Sequence, residues 1–424
     1  MFKTIYFDIS GVCNAHCRYC VSGKKSISGS AHRKQGSFIG VQEFHNSIEH
    51  MLNKGVISCG SEVVLYSWGE PFLHKELKEI IEIIKSKGLY YNLSTNASKC
   101  TDFNKDELSN LKSITFSMPG FSQASYDRIH GFKFDRIIKN ISDMALSLRE
   151  NNYVGEMVLA YHIYKFNLNE INSAAAFAKK NDMVFVPSLA YLNGYDMFRH
   201  FLTKNMSPQH IEMISTEVFT DHLRELQLRR PANYICPQFE RLSIDENSDV
   251  LMCCAMEKAC GEQGLVGNLF DMDLIEIQKK RNGMEICNEC SSLSIDYIAQ
   301  SPVGIIEFLR FYGDLFNVVD FDTAKEVVDG DIYIYGTGET ADSLFNTFLQ
   351  SKSFNVKGVV YSSSIDGDSV FNGFPVDNPN VLHKKSEAKI LIASLSEKSI
   401  NEIQFMLRDE FELSNPILKF KINV

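Results

Sequence analysis

Along residues 3–190, short β-rich runs alternate with stretches whose apolar residues recur every three or four positions. The strand-like runs are Thr4–Ile9, Glu62–Tyr66, Tyr90–Ser94, Ser113–Ser117, Met157–Ile163 and Met183–Val186. Amphipathic helical stretches such as Lys75–Lys87, Phe134–Arg149 and Asn169–Lys180 lie between them. Six strands separated by helices predict a parallel α/β sheet or barrel. Such architectures carry their chemistry at the carboxyl ends of the strands. Ser207–Leu228 predicts a linking helix with Ser207-Pro208 as its start. From Cys236 the pattern changes to two short strands, Leu242–Ile244 and Val250–Met252, around a turn at Glu246–Asp249, with a helix at Leu274–Lys280. A helical stretch near Val303–Phe316 leads to a third region. There Ile332–Tyr335 runs into Gly336-Thr337-Gly338 and a helical pattern to Leu349, followed by Val356–Tyr361, Ile390–Ala393 and a helix over Lys398–Arg408.

Composition narrows the class. With 44% apolar and 23% charged residues the chain reads as an ordinary soluble globular protein. Forty-three basic against fifty-three acidic residues give a net charge of −10, which argues against a broad grip on nucleic acid or an anionic membrane. No run reaches the ~18 apolar residues of a membrane span. Met1–Ile9 lacks the basic and apolar regions of a signal peptide, so a cytoplasmic location is expected. Structural disulfides are rare there, yet the chain has eleven cysteines. Three sit at 13, 17 and 20, six lie between 236 and 290, and Cys59 and Cys100 stand alone. Grouping of this kind points to metal or catalysis.

Cys13, Cys17 and Cys20 form a C-x3-C-x2-C run directly after the first strand. Three thiolates on one loop can hold three irons of a 4Fe–4S cluster and leave the fourth open. A zinc knuckle would need a fourth ligand at finger spacing, which the surrounding sequence lacks. The run resembles the signature of the radical S-adenosylmethionine (radical SAM) superfamily, including an aromatic residue, Tyr19, before the last cysteine. That resemblance, over about residues 3–190, implies a partial (β/α)6 barrel that binds SAM at the open iron. It also implies reductive cleavage to a 5′-deoxyadenosyl radical, with a reduced flavodoxin or ferredoxin as electron donor.

Further segments share the likeness. Ser67-Trp68-Gly69-Glu70-Pro71 resembles the family's Gly-Gly-Glu-Pro segment, which implies contact of Trp68, Gly69 and Glu70 with the SAM amino group; Trp68 stands where the family has glycine. Ser94 and Asn96 at the end of strand three, and Ser117 at the end of strand four, resemble positions that meet the SAM ribose or carboxylate. Arg128 lies in a segment that often carries arginine just before its glycine, a place held here by His130. Caps and turn hydrogen bonds are the structural alternative for each polar residue. Tyr161, His162 and Tyr164 near strand five are candidates by position alone, and the sequence names no catalytic base.

Cys236, Cys253, Cys287 and Cys290 follow the spacing C-x16-C-x33-C-x2-C. Four thiolates close a cluster completely, and a zinc site can use the same four. The arrangement resembles the shortened "twitch" form of the SPASM auxiliary-cluster module, implying one auxiliary 4Fe–4S cluster. Cys254 is adjacent to Cys253 and could replace it; Cys254 and Cys260 are otherwise spare. The Gly336–Gly338 turn satisfies the context of a dinucleotide fingerprint, but Val359–Ser363 offers no acidic residue for a ribose. This third region loosely resembles Rossmann-like modules of bacterial sugar-modifying enzymes, with Gly373–Val376 as a shared segment.

The expected division is a partial barrel over 1–205, a linker helix and small cysteine-rich α+β cluster domain over 206–300, and a Rossmann-like α/β domain over 301–424. The expected substrate is a small molecule, a carbohydrate or nucleotide sugar, oxidised with the auxiliary cluster as electron acceptor. The alternatives are peptide modification, redox-neutral epimerisation with Cys254 or Cys260 as hydrogen donor, and a zinc-binding scaffold.

Overall fold

The structure is a computed structural model that describes residues 1–27, 36–256, 263–300, 330–338, 341, 355–362, 369–394 and 397–419. The chain divides into two compact units, Met1–Gln300 and Ser301–Val424.

In the first unit, β1 (Thr4–Phe7), β2 (Glu62–Val64), β3 (Tyr90–Thr95), β4 (Leu111–Met118), β5 (Glu156–Ile163) and β6 (Val184–Leu189) lie side by side in chain order. Every neighbouring pair among them is parallel. The connections carry α1 (Val41–Asn53), α2 (Leu77–Ser86), α3 (Gln123–Arg128), α4 (Phe134–Glu150) and α5 (Ile171–Lys180). Parallel strands that add in chain order through helical crossovers are the pattern of a β/α barrel, here with six strands.

Burial along these strands is not uniform. Leu111, Ile114, Phe116 and Met118 of β4 are buried, whereas Ser113, Thr115 and Ser117 between them are half-buried. On β5, Met157, Leu159, Tyr161 and Ile163 alternate in the same way with Val158, Ala160 and His162. Strands of a parallel sheet are usually apolar on both faces. Here one face packs in the core, while the other presents Asn92, Ser94, Ser113, Thr115, Ser117 and His162. A sheet with one polar, half-open face can line a wet cleft.

Beyond α6 (Tyr195–Leu202), the helix expected over Ser207–Leu228 is two helices, α7 (Pro208–Glu217) and α8 (Asp221–Arg229). Ser207 caps α7 by accepting from the His210 amide. At Val218 the backbone turns extended, and Val218 and Phe219 bury their side chains. Burial of this apolar pair outweighs continuation of the helix.

The small strands β7 (Arg241–Ile244), β8 (Asp249–Leu251) and β9 (Leu265–Asn268) do not form a sheet of their own. β7 pairs parallel with β1, and β8 and β9 follow antiparallel, giving a nine-stranded sheet ordered β6-β5-β4-β3-β2-β1-β7-β8-β9. The turn between β7 and β8 closes on Asp245, whose Oδ1 accepts from the amides of Asn247 and Asp249. α9 (Leu274–Asn282) opens with a reciprocal cap between Asp273 and Glu276, and α10 (Glu285–Ser292) and α11 (Ile295–Gln300) follow.

The second unit holds β10 (Ile332–Tyr335), β11 (Val356–Val360), β12 (Val370–Phe371), β13 (Phe374–Asp377), β14 (Lys389–Ile392) and β15 (Ile417–Lys419). Their order is β12-β13-β11-β10-β14-β15, parallel except for the β12–β13 hairpin. Setting that hairpin strand aside, the sequence of neighbours is the 3-2-1-4-5 order of a doubly wound sheet. Gly336 follows β10 with φ +120°, at the place where the order reverses. At the end of β11 the Tyr335 and Ser362 hydroxyls hydrogen-bond at 2.6 Å, where a nucleotide-binding sheet would place a carboxylate. The helices expected near Val303–Phe316 and up to Leu349, and Cys260, lie outside the described residues. Among the described residues, no helix is long and apolar enough to cross a membrane.

The alternation on β4 makes a direct test. Ile114→Ala should destabilise the protein by about 2–5 kcal/mol through the cavity it leaves. Thr115→Ala, one residue on, should cost less than about 1 kcal/mol. Urea denaturation of both variants checks the pair, and equal costs would refute the two-faced sheet.

Candidate functional site

β1 delivers the chain to a loop, Ser10–Cys20, at the carboxyl end of the sheet, and this loop has little regular structure of its own. Two buried carboxylates hold it. Asp8 accepts from the backbone amides of Trp68 at 2.9 Å and Gly69 at 3.2 Å, joining the end of β1 to the segment after β2. Glu70 accepts from the Phe72 amide, from Thr95 Oγ1 at 2.7 Å and from the Asn96 amide at 2.8 Å, joining that segment to the end of β3. The Glu70 amide in turn donates to Val12 on the cysteine loop. Gly69 is a glycine by necessity, since a Cβ there would lie 1.5 Å from the Ser10 carbonyl oxygen.

The three cysteines sit together on this loop. Burial pushes the Cys13 thiol up to about 12, with added repulsion from Glu70 and Cys20. Cys17 is also raised well above its ordinary value, by burial first and then by Cys20 and Cys13. Half-buried thiols near enough to repel one another resist ionisation unless a cation replaces their protons, which is the electrostatic condition of a metal-thiolate site. Asn96 Nδ2 points at Cys13 Sγ, 3.9 Å away, and donates to Asn14 Oδ1. Asn193 Nδ2 reaches Cys20 Sγ at 3.9 Å. The far side of the loop is clamped by Glu217 at the end of α7, which pairs with Arg18 at 2.9 Å and accepts from the Tyr19 hydroxyl at 2.6 Å.

The other candidates from the sequence fall around this loop with distinct surroundings. The Trp68 and Gly69 amides face Asp8, so a ligand meeting that segment would find other backbone atoms. Glu70 has both oxygens in hydrogen bonds within the protein. Tyr19 is buried, its ring 6.1 Å from that of Tyr164. Ser94 lies on the half-open face of β3. Ser117 Oγ hydrogen-bonds His162 Nε2 at 3.0 Å on the same face. Arg128 lays its guanidinium over the Phe166 ring, which stacks on Tyr164. Tyr161 and Tyr164 are buried, but His162 is among the inner-face residues. Burial lowers His162 to about 4, and burial with the nearby His162 lowers His130 to about 3, so both imidazoles are neutral.

Sequence reading missed Asp8, Asn14 and Glu217. An acid closing an apolar strand was a usable signal for Asp8; nothing local marked Glu217, which lies 199 positions from Arg18.

The second set of cysteines surrounds a cavity. Cys236, Cys253, Cys287 and Cys290 line a space of about 340 Å³ together with Tyr195, Tyr234 and Asp296. Cys287 and Cys290 share a face of α10, three residues apart. Arg230 braces the wall, holding Asp296 through two hydrogen bonds of 2.9 and 2.7 Å and Ser291 through a third. Tyr195 donates to Glu289 at 2.7 Å and so ties α6 to α10. Cys253 is on the cavity wall and Cys254 is not. Cys254 is hydrogen-bonded to the Gln238 side chain and lies within electrostatic reach of Arg241, Cys236, Cys253, Tyr66 and Tyr191, the last of which also senses Cys20. Among the described residues, the loop after β1 included, no three Cys, His, Asp or Glu side chains converge on a position for one ion. A tetrahedral zinc would draw its sulfurs to about 3.8 Å from one another.

An open parallel barrel with a triple-cysteine loop after its first strand defines a class of metal-cluster enzyme. Residues 8–159 match the radical SAM superfamily model, so this part of the chain carries a radical SAM domain. It is 27% identical over 177 residues to the Fe-coproporphyrin III synthase of Methanosarcina barkeri (strain Fusaro / DSM 804), covering 39% of this chain and 38% of that protein. It is 24% identical over 208 residues to the GTP 3′,8-cyclase of Photorhabdus laumondii subsp. laumondii, covering 47% and 59%. The matches thus span between two-fifths and three-fifths of these relatives' length. Among solved structures, Streptococcus suis SuiB bound to precursor peptide SuiA has a TM-score of 0.47 at 15% identity, over 67% of this chain and 66% of that one. Native anSMEcpe with bound AdoMet has a TM-score of 0.44 at 15% identity, over 68% and 86%. A radical SAM domain implies SAM and one 4Fe–4S cluster. The three gathered thiols fit the cluster as a donor set.

Glu70 supplies a pH test. Burial raises its carboxyl to about 7 from the ordinary 4.5, against the pull of its three donors. Unfolding therefore releases a proton between those values, and raising the pH through that window weakens the apo-protein. Glu70→Gln removes this dependence, so the stability of wild type minus variant should fall from pH 4.5 to about 7 and then level off. Urea titrations across the window measure it. A difference that grows with pH would show the donors outweighing burial.

Proposed function

We propose that the protein cleaves SAM reductively and uses the resulting 5′-deoxyadenosyl radical to abstract a substrate hydrogen, oxidising a carbohydrate or nucleotide-sugar alcohol. The observation that carries this reading is the separation of the cysteines into two sets: three on the loop after β1, and four around one cavity. When bound, SAM and the first cluster supply the radical, and a second cluster supplies an acceptor for the electron that the substrate radical gives up. Cys13, Cys17 and Cys20 would hold the first cluster and leave one iron for SAM. Cys236, Cys253, Cys287 and Cys290 would hold the second.

The residues around the first site have evident tasks in this reading. Asp8 and Glu70 fix the loop, and the backbone they anchor at Trp68–Glu70 meets the SAM amino group. Ser94, Asn96, Ser117 and Arg128 line the approach for the ribose and carboxylate. The neutral His162, beside Ser117, can accept a hydrogen bond or a proton from a substrate hydroxyl. A reduced flavodoxin or ferredoxin would supply the electron for SAM cleavage. The substrate class rests on the likeness of the third region to sugar-modifying modules.

Cys254 favours a second reading. It is off the cavity wall and shares Tyr191 with Cys20, so it could return a hydrogen atom to a substrate radical in a redox-neutral epimerisation, the resulting thiyl radical taking an electron from the four-cysteine cluster and a proton from solvent. Cys254→Ala should then lose the solvent deuterium found in product made in D₂O, whereas an oxidation would proceed without it.

Anaerobic reconstitution should give about eight iron and eight sulfide per chain. Replacing Cys13, Cys17 and Cys20 by Ala should leave about half of that and abolish 5′-deoxyadenosine formation. Retained SAM cleavage in the triple variant would overturn the assignment, and stoichiometric zinc at the second site would remove the auxiliary cluster. The substrate screen covers nucleotide sugars, free cyclitols and short peptides.

A further inference from the structure

Arg281, on α9, is 1% exposed. Its guanidinium reaches to the wall of the four-cysteine cavity from behind. Nε and Nη2 donate to the Met252 carbonyl at 3.2 and 2.9 Å, Nη2 also donates to the Gln238 carbonyl, and Nη1 donates to the Phe239 carbonyl at 3.4 Å. Met252 directly precedes Cys253, and Gln238 lies two residues after Cys236. The group sits near the Phe2 and Phe239 rings, with centroids at 5.4 and 5.8 Å. Among the described residues, no carboxylate pairs with it.

A fully buried cation without a carboxylate is costly, by several kcal/mol. Carbonyl groups alone do not call for one, because neutral amide donors satisfy them. A cluster held by Cys236 and Cys253, next to the carbonyls that Arg281 grips, would supply the missing counter-charge. A cluster held by four thiolates is anionic, and one-electron reduction adds a further negative charge. A fixed cation behind its wall therefore favours the reduced form over the oxidised one.

We propose that Arg281 is a positioning residue that raises the reduction potential of the auxiliary cluster and so sets it to accept an electron from the substrate radical. This rests on the four-cysteine set holding that cluster. The charge acts by holding the reduced state, and the carbonyl fork keeps the backbone beside Cys236 and Cys253 in register.

The test uses the full chain with Cys13, Cys17 and Cys20 replaced by Ala, in which the auxiliary cluster is the one cluster expected. Arg281→Lys, Arg281→Gln and Arg281→Met are reconstituted in this background and titrated with reductant under EPR. Gln keeps amide donors for the carbonyls and Met keeps bulk beside the Phe2 and Phe239 rings, so the two neutral variants preserve different parts of the packing. The expected result is a midpoint potential shifted negative in whichever neutral variant loads iron, with Arg281→Lys staying near the parent. If both neutral variants fold but hold no iron while Arg281→Lys does, the cation's role as counter-charge is upheld. An unchanged potential in a loaded neutral variant overturns the inference, as does a shift in Arg281→Lys as large as in Arg281→Gln. Iron and sulfide analysis separates the two levels: a parent without an iron cluster at this site refutes the auxiliary-cluster reading itself.

Discussion

The structure around the first site depends on two buried carboxylates that grip backbone amides. A loop that presents three thiols cannot hold itself, because its chain must be free of helix and ladder bonds to turn the sulfurs together. Asp8 and Glu70 replace those bonds with carboxyl–amide hydrogen bonds across three neighbouring strand ends. Glu217 closes the loop from the other side through Arg18 and Tyr19. The cysteine positions are therefore fixed by residues that never need to touch a metal.

The sheet that carries these strand ends has two unlike faces. The buried face of β4 and β5 is apolar and packs in the core, which supplies the stability. The alternate residues are small or polar, from Asn92 and Ser94 to Ser117 and His162. A barrel filled with branched side chains would leave no room for a substrate. An open six-stranded sheet with a polar inner face does. The period-two pattern within a parallel sheet is thus a functional trace, because packing by itself would favour apolar residues on both faces.

The four-cysteine region is attached to the same sheet by the pairing of β7 with β1. The strand that leads into the first cysteine loop also anchors the hairpin that leads to Cys253, so the two sets share a rigid support. They differ in their buried charges. Cys13 has the Glu70 carboxyl nearby, and the four-cysteine wall has Arg281 behind it.

The sequence by itself determined the six β-rich runs, the position of the triple cysteine at the end of the first of them, and the spacing of the second set. Each is a local pattern: side-chain period, turn residues and the distance between ligands on one loop. It also carried the glycine turn after β10, whose place at the reversal of strand order only the sheet revealed. Tertiary structure decided the rest. It split the helix expected over Ser207–Leu228, because the core buried Val218 and Phe219. It put Cys253 on the cavity wall and turned Cys254 away. It brought Glu217 to Arg18 and Arg281 to the carbonyls beside Cys236 and Cys253, across gaps in the chain that no local pattern spans. Spacing fixes which atoms can share one loop, but burial and charge compensation are sums over atoms that meet only when the chain has folded.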